Sequence, residues 1–197
     1  MYSRYYVTGA DLAAIINEAA IIATMHDKDF VEMHDLEEAR DKVRWGRQRR
    51  SRKIEEQDRI LTAYHEAGHA VVQMLLDDAD PLHKVTIIPR GPMGGATFSL
   101  PEKDRWGYGQ KFIEATLRVT CGGRIAEQRK TMDVSSGAAQ DIKQATSLAR
   151  AMVLEWGMSK RVGFINHAGD DTREMYIPDR DYSDDTARVI DEEVRKI

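Results

Sequence analysis

The 197-residue chain has a single cysteine, Cys121, so no disulfide framework can staple it and a reducing compartment is the default. No histidine stands near Cys121 in a recognisable Cys/His protease signature, and the residue reads as a small buried hydrophobe. No run approaches the roughly 18 consecutive apolar residues that a membrane-spanning helix needs. No charged-then-apolar leader opens the chain either, so as it stands the sequence reads as soluble. Internal repeats and a Gly-x-x-x-x-Gly-Lys-Ser/Thr phosphate loop are both missing, which leaves no nucleotide site of this chain's own. What remains is a globular composition, 42% hydrophobic and 31% charged with net charge -4, on a chain long enough to bury a core.

Anions are missing locally as well. Arg44 to Lys53 carries six cations and no acidic residue, leaving -10 on the rest of the chain. A basic run beside Trp45 could grip phosphates. Such runs more often form solvated linkers, and no nucleic-acid partner is expected.

Against this background one stretch is specific: Tyr64-His65-Glu66-Ala67-Gly68-His69-Ala70. Residues four apart on a helix lie one above the other, so His65 and His69 can offer two imidazole nitrogens to one metal ion. Glu66 leans over the same place, as in the H-E-x-x-H arrangement, where two histidines hold zinc and the glutamate takes a proton from water activated by the metal. Ile60, Tyr64, Ala67, Val71 and Met74 recur at helical spacing and predict a buried stripe beside the two histidines. Gly68 costs about 1 kcal/mol relative to alanine inside a helix. Its presence predicts the close approach of another segment.

A zinc hydrolase of this kind needs three protein donors and an open position. The extended H-E-x-x-H-x-x-G-x-x-H pattern fails, because Val72 stands at its glycine and Leu75 at its third histidine. The third donor must come from farther along, with Asp133, Asp141, Glu127, Glu155 and His83 as candidates. Asp141 is the best placed, at the start of a helix after a loop of small residues. Glu127 and Glu155 read as helix-interior residues that form ion pairs or support the ligands from behind.

Elsewhere the pattern is mostly helical. Thr8 and Asp11 form a capping box ahead of a stripe of Leu12, Ile15, Ile16, Ala19 and Ile22. After a break at His26 to Phe30, a second helix turns Leu36, Ala39 and Val43 inward. Lys84 to Pro89 and Ala96 to Leu100 read as two strands around a turn at Gly91 to Gly95. The unpaired edge of so small a sheet could take up an extended peptide, or the hairpin could be purely structural. Lys111 to Arg129 predicts a helix with Phe112, Ala115, Leu117, Val119 and Ile125 apolar, and Cys121-Gly122-Gly123 marks tight packing or a kink. A polar loop from Ser135 leads through Asp141 into a helix striped by Ile142, Ala145, Leu148, Ala149, Met152 and Val153, with Gly157 as its left-handed cap. A loop over 166–183 precedes a last helix from Asp184 to Ile197.

With these residues assembled, the chain resembles the FtsH family of membrane-anchored AAA+ zinc proteases of bacteria and organelles. Thr8-Gly9-Ala10-Asp11-Leu12 and Asn17-Glu18-Ala19-Ala20 are similar to the end of the family's ATPase lid. Arg49-Arg50-Ser51 leading into the motif around His65 is similar to the junction with its protease domain. Val85-Thr86-Ile87-Ile88-Pro89-Arg90-Gly91, Leu100-Pro101-Glu102, Gly122-Gly123-Arg124-Ile125-Ala126-Glu127, Ser136 to Ile142 and Glu155-Trp156-Gly157-Met158 follow in the family's order.

The resemblance implies a mainly α, helical zinc-peptidase fold with a small β-sheet, preceded by the helical end of an AAA+ lid. It divides the chain into a lid remnant over 1–45, a basic linker over 46–54 and a zinc metalloprotease domain over 55–197 whose final helix is cut short. It implies zinc held by His65, His69 and Asp141, with Glu66 the catalytic carboxylate of a metalloendopeptidase. Gly9 and Ala10 match positions near the nucleotide of the complete family ATPase, and ATP is expected to act only through the absent ATPase module. The implied partners are unfolded polypeptides and five further copies in a homo-hexamer. The implied place is the cytoplasmic face of the bacterial inner membrane, or an organelle's inner membrane, reached through an amino-terminal segment missing here. The rival from another class is a non-catalytic, metal-stabilised, ring-forming module.

Overall fold

The structure, a computed structural model, describes residues 8–48, 54–89, 94–101, 105–168 and 182–197. Arg49 to Lys53 of the basic run, the start of the turn at Gly91 and most of the 166–183 loop lie outside the described residues. Two compact units are present, Met1–Glu55 with Thr86–Ala96, and Glu56–Val85 with Thr97–Ile197.

In the first unit, α1 (Gly9–Met25) starts at the predicted capping box. Thr8 Oγ1 accepts from the Asp11 amide at 3.2 Å, and Asp11 Oδ2 accepts from the Thr8 amide at 2.8 Å. A second capping box, which the sequence reading missed, opens α2 (Met33–Trp45) between Glu32 and Asp35. The buried Asp35 also takes an ion pair from Lys28 at 3.0 Å. Ile15, Ala19, Ile22 and Ala39 form the core, with Leu36 packed against it. Leu12, Ile16 and Val43 were expected inside and are exposed. Two short helices share only one seam, and residues flanking it face away.

The second unit stacks α3 (Glu56–Leu75) on α4 (Gln110–Thr131), α4 on α5 (Ala139–Leu154) and α5 on α6 (Asp184–Lys196). A short 3-10 turn, Ser136–Ala138, leads into α5. The only sheet among the described residues is two-stranded and antiparallel, β1 (Leu82–Thr86) beside β2 (Ala96–Ser99). The fold is thus mainly α with one small sheet. Ile113, Leu117, Leu148 and Met152 pack between α4 and α5. Gly157 is left-handed at φ 59° just beyond α5, as its place in the sequence predicts.

Helix α4 runs unbroken through Cys121-Gly122-Gly123, and the glycines serve close packing. A Cβ on Gly122 would stand 2.6 Å from the Gly68 carbonyl oxygen, and one on Gly68 2.6 Å from Ala126 Cβ. No side chain fits between the two backbones there, which explains the glycine inside α3.

That crossing overturns the predicted orientation of α3. Ile60, Tyr64, Val71 and Met74 are 43%, 43%, 55% and 73% exposed, and Ala67 is exposed with them. The buried face is Glu66, His69, Ala70 and Gln73. Glu66, His69 and the Gln73 amide nitrogen have hydrogen-bond partners that offset their burial, although Gln73 Oε1 has none, whereas the apolar stripe points away from the glycine contact. Cys121, expected inside, is exposed because the buried face of α4 passes through Thr120, Gly122 and Gly123. Ile125 and Ile142 lie outside for the same reason of facing. Glu155 follows α5 as its cap and is not in a helix interior. No helix among the described residues is long and apolar enough to cross a membrane.

Candidate metal centre

Helix α3 carries His65 and His69 one turn apart, their rings meeting edge to face at 4.6 Å between centroids. The two Nε2 atoms stand 3.0 Å apart. Helix α5 enters from the far side with Asp141 in its first turn, placing Oδ2 3.1 Å from His65 Nε2 and 3.5 Å from His69 Nε2. One donor atom from each of the three residues lies within 4.8 Å of the others, and no second group of this kind occurs among the described residues. Helix α4 covers the rings with Gly123, where a Cβ would fall 2.5 Å from His69 Nε2 and 2.8 Å from His65 Nε2.

Each imidazole is held from behind. His69 Nδ1 donates to the Val119 carbonyl at 2.7 Å, and His65 Nδ1 donates to Glu127 Oε1 at 2.7 Å. A carbonyl oxygen only accepts, so His69 carries a proton on Nδ1, and in the neutral ring its Nε2 keeps a lone pair. Glu127 Oε2 accepts from Ser135 Oγ at 2.9 Å, and Ser135 Oγ accepts from the Gly137 amide at 3.1 Å. One buried carboxylate therefore ties the His65 ring to the turn that delivers Asp141. In the neutral tautomers two nitrogen lone pairs and a carboxylate oxygen converge with no proton between them, an arrangement that repels itself unless a cation stands there. Two imidazoles and a carboxylate form one of the donor sets used by catalytic zinc.

The electrostatics agree. Burial pushes the Asp141 carboxyl up, but the hydrogen bonds and charges of His65 and His69 outweigh it and hold it well below the usual carboxylate range. Asp141 raises the His65 pKa against the effect of burial, with help from Glu127. Burial alone would lower His69, yet Asp141 and the Val119 carbonyl raise it overall. Protons therefore compete with a cation for the same Nε2 atoms.

Glu66 is 7% exposed, and burial raises its pKa while the Thr97 hydroxyl partly opposes this. Thr97 Oγ1, on β2, donates to Glu66 Oε2 at 2.7 Å.

Residues 52–197 match Peptidase family M41. The chain belongs to peptidase family M41. Over 193 residues, 95% of this chain and 30% of the relative, it is 52% identical to the ATP-dependent zinc metalloprotease FtsH 2 of Methylacidiphilum infernorum. It is 48% identical over 192 residues, 95% of this chain and 28% of the relative, to the ATP-dependent zinc metalloprotease FtsH of Magnetococcus marinus. The FtsH 2 of Salinibacter ruber is 46% identical over 195 residues, 96% of this chain and 28% of the relative. The chain thus spans 28–30% of the length of these curated relatives. M41 is a metallopeptidase family, and His65, His69 and Asp141 of this M41 chain form a group that could hold a metal ion.

The other candidate donors of this M41 chain stand apart from the cluster. Asp133 is exposed past the end of α4, where its Oδ1 accepts from the Val134 amide at 2.7 Å. Glu155 is exposed beyond α5, and His83 is exposed on β1. Glu127 reaches the back of the His65 ring and not its Nε2. Sequence reasoning missed the parts of Val119, Thr97 and Ser135, and took Gly123 as a mark of tight packing or a kink and not as cover for the histidine rings. A carbonyl carries no side-chain signal, and the only sequence cue to Thr97 was its place in a predicted strand.

Proposed function

We propose that the chain is the zinc endopeptidase part of an ATP-dependent, membrane-anchored protease and hydrolyses peptide bonds of unfolded polypeptides. The observation that carries the reading is the convergence of His65 Nε2, His69 Nε2 and an Asp141 carboxylate oxygen on one point beside the buried Glu66. Zinc held by these three residues supplies a Lewis acid that polarises a peptide carbonyl and lowers the pKa of water towards about 7. Glu66 accepts the proton of the attacking water and delivers it to the leaving amine. Burial raises the proton affinity of Glu66 towards that of a base that must also act as an acid. Glu127 and the Val119 carbonyl keep both rings turned with Nε2 inward.

The names of the relatives and the fraction of their length covered support a larger assembly. In it, residues 1–45 are the end of an ATPase lid, 46–54 a basic linker and 55–197 the protease domain. The grouping of residues 1–55, with the hairpin tip, apart from the helices that carry the site supports this division. ATP, the membrane and a homo-hexamer enter through the rest of that assembly. This chain by itself is expected to cleave peptides and unfolded proteins, because threading folded substrates needs the ATPase.

The test is Glu66→Gln. The variant should keep its zinc and its circular dichroism spectrum while losing chelator-sensitive cleavage of casein. Turnover retained by metal-verified protein refutes the role of Glu66. A parent chain that binds zinc without cleaving casein returns the metal to a structural role in a ring-forming module.

A further inference from the structure

Glu66 and Gln73 are seven residues apart on α3 and share its buried face. Thr97 and Ser99 are two apart on β2 and share one face of the strand. The two pairs meet in register. Thr97 Oγ1 donates to Glu66 Oε2 at 2.7 Å, and Gln73 Nε2 donates to Ser99 Oγ at 2.8 Å and to the Asp80 carbonyl at 2.6 Å. Both hydroxyls stitch the strand to the helix, but only one ends on a carboxylate.

We propose that Thr97 is a positioning residue for Glu66: its hydroxyl occupies Oε2, stops the carboxylate from turning and leaves Oε1 as the oxygen that handles the proton. The torsion that swings a glutamate's carboxylate is broad and two-fold, so the two oxygens exchange easily unless one is held. Threonine suits the task because its branched Cβ restricts χ1 and fixes where the hydroxyl points. Thr97 Oγ1 also lies 3.2 Å from the Glu66 carbonyl oxygen. A hydroxyl has one proton, and the shorter, charge-assisted contact to the carboxylate takes it. Oε2 is engaged by Thr97 while Oε1 has no hydrogen-bond partner among the described residues, so Oε1 is the carboxylate oxygen left free to exchange a proton. The inference rests on the proposed role of Glu66 as the base.

The experiment compares Thr97→Val, Thr97→Ser and Ser99→Ala in the zinc-loaded chain, using a fluorogenic peptide. Thr97→Val keeps the branched shape without the donor. It should lower kcat about 10- to 100-fold, the range of one hydrogen bond to a charged group, with zinc content unchanged and KM within about twofold. Thr97→Ser restores the donor and should return kcat to within about threefold of the parent. Ser99→Ala cuts the neighbouring stitch without touching Glu66 and should leave kcat at the parent level. A crystal structure of zinc-loaded Thr97→Val should show the Glu66 carboxylate turned from its parental orientation.

Parental kcat in Thr97→Val, a serine variant as slow as the valine one, or an equal loss in Ser99→Ala overturns the proposal. If Thr97→Val does not hold zinc, Thr97→Ala takes its place under the same criteria. Zinc loss in both, with zinc retained by Thr97→Ser, makes the hydroxyl a structural anchor and also overturns it. An inactive parent, or an active Glu66→Gln, refutes the proposed function itself and is recognised before any Thr97 variant is assayed.

Discussion

Replacing Gly123 by alanine adds one carbon where α4 faces both imidazoles. The new Cβ would stand 2.5 Å from His69 Nε2 and 2.8 Å from His65 Nε2, so ordinary contact at 3.4 Å requires the rings to retreat by about 0.6–0.9 Å. Protein ligand distances to a metal vary by only about 0.2 Å, and such a retreat takes both nitrogens out of range. The fold itself should tolerate the change. Overpacking costs about 1–3 kcal/mol, and alanine recovers about 1 kcal/mol of helix propensity over glycine. The net loss is therefore about 0–2 kcal/mol in the metal-free protein. Gly122→Ala next door is the contrast. Its Cβ would meet the backbone of α3, 2.6 Å from the Gly68 carbonyl oxygen, and backbone cannot swing aside as a ring can. Competition titration with a chromogenic chelator, beside thermal melts of the metal-free proteins, separates the two. Gly123→Ala should lose at least about 100-fold in zinc affinity, the effect of two displaced ligands, and melt close to the parent, while Gly122→Ala should melt well below it. Parental zinc affinity in Gly123→Ala would refute the reasoning.

Asp141→Ala should lower zinc stoichiometry measured by atomic absorption after dialysis, and unchanged metal content would point to another carboxylate. Glu127→Ala releases the His65 ring and leaves Ser135 without its acceptor, so zinc affinity should fall about 10- to 100-fold with Asp141 still in place. The pH dependence of stability should reverse sign with the metal. In the metal-free protein the raised pKa of His65 and His69 contributes stability that is full below the ordinary histidine value of 6.5 and is lost as pH rises through the raised values. The depressed Asp141 carboxyl contributes above its ordinary value of 3.8 and loses that contribution as pH falls towards its lowered one. With zinc present, protons leave the same nitrogens as the metal binds, so stability should rise across the range in which the metal-free protein loses it. Melting curves from pH 5 to pH 8, roughly the range around a histidine pKa, with and without chelator, check this, and parallel slopes would count against a shared site.

Local features could be read directly from residue order. A helix of 3.6 residues per turn brings His65 and His69 together whatever surrounds it. The Thr8 and Asp11 capping box and the left-handed Gly157 also follow from contacts or torsions confined to a few neighbouring residues. The small sheet was readable from alternation, although β1 begins two residues before the expected start. Gly68 announced that something approaches α3, without saying what.

Other features depended on how distant parts of the chain come back together. An apolar stripe on α3 shows that the helix has two faces but not which one the core takes. The glycine crossing with α4 chose the face of Glu66, His69 and Gln73, and left Ile60, Tyr64, Val71 and Met74 outside. The groups that complete the centre arrive from 62 residues away at Glu127, 50 at Val119 and 31 at Thr97. Contacts at such separations depend on the crossing of whole helices and on the register of a strand. Residue order by itself determined a pair of imidazoles with a glutamate between them. Packing decided which carboxylate faces that pair, which carbonyl holds one ring and which hydroxyl holds the glutamate, because hydrogen bonds of under 3 Å depend on where helices cross in space and not on how far apart their residues lie along the chain.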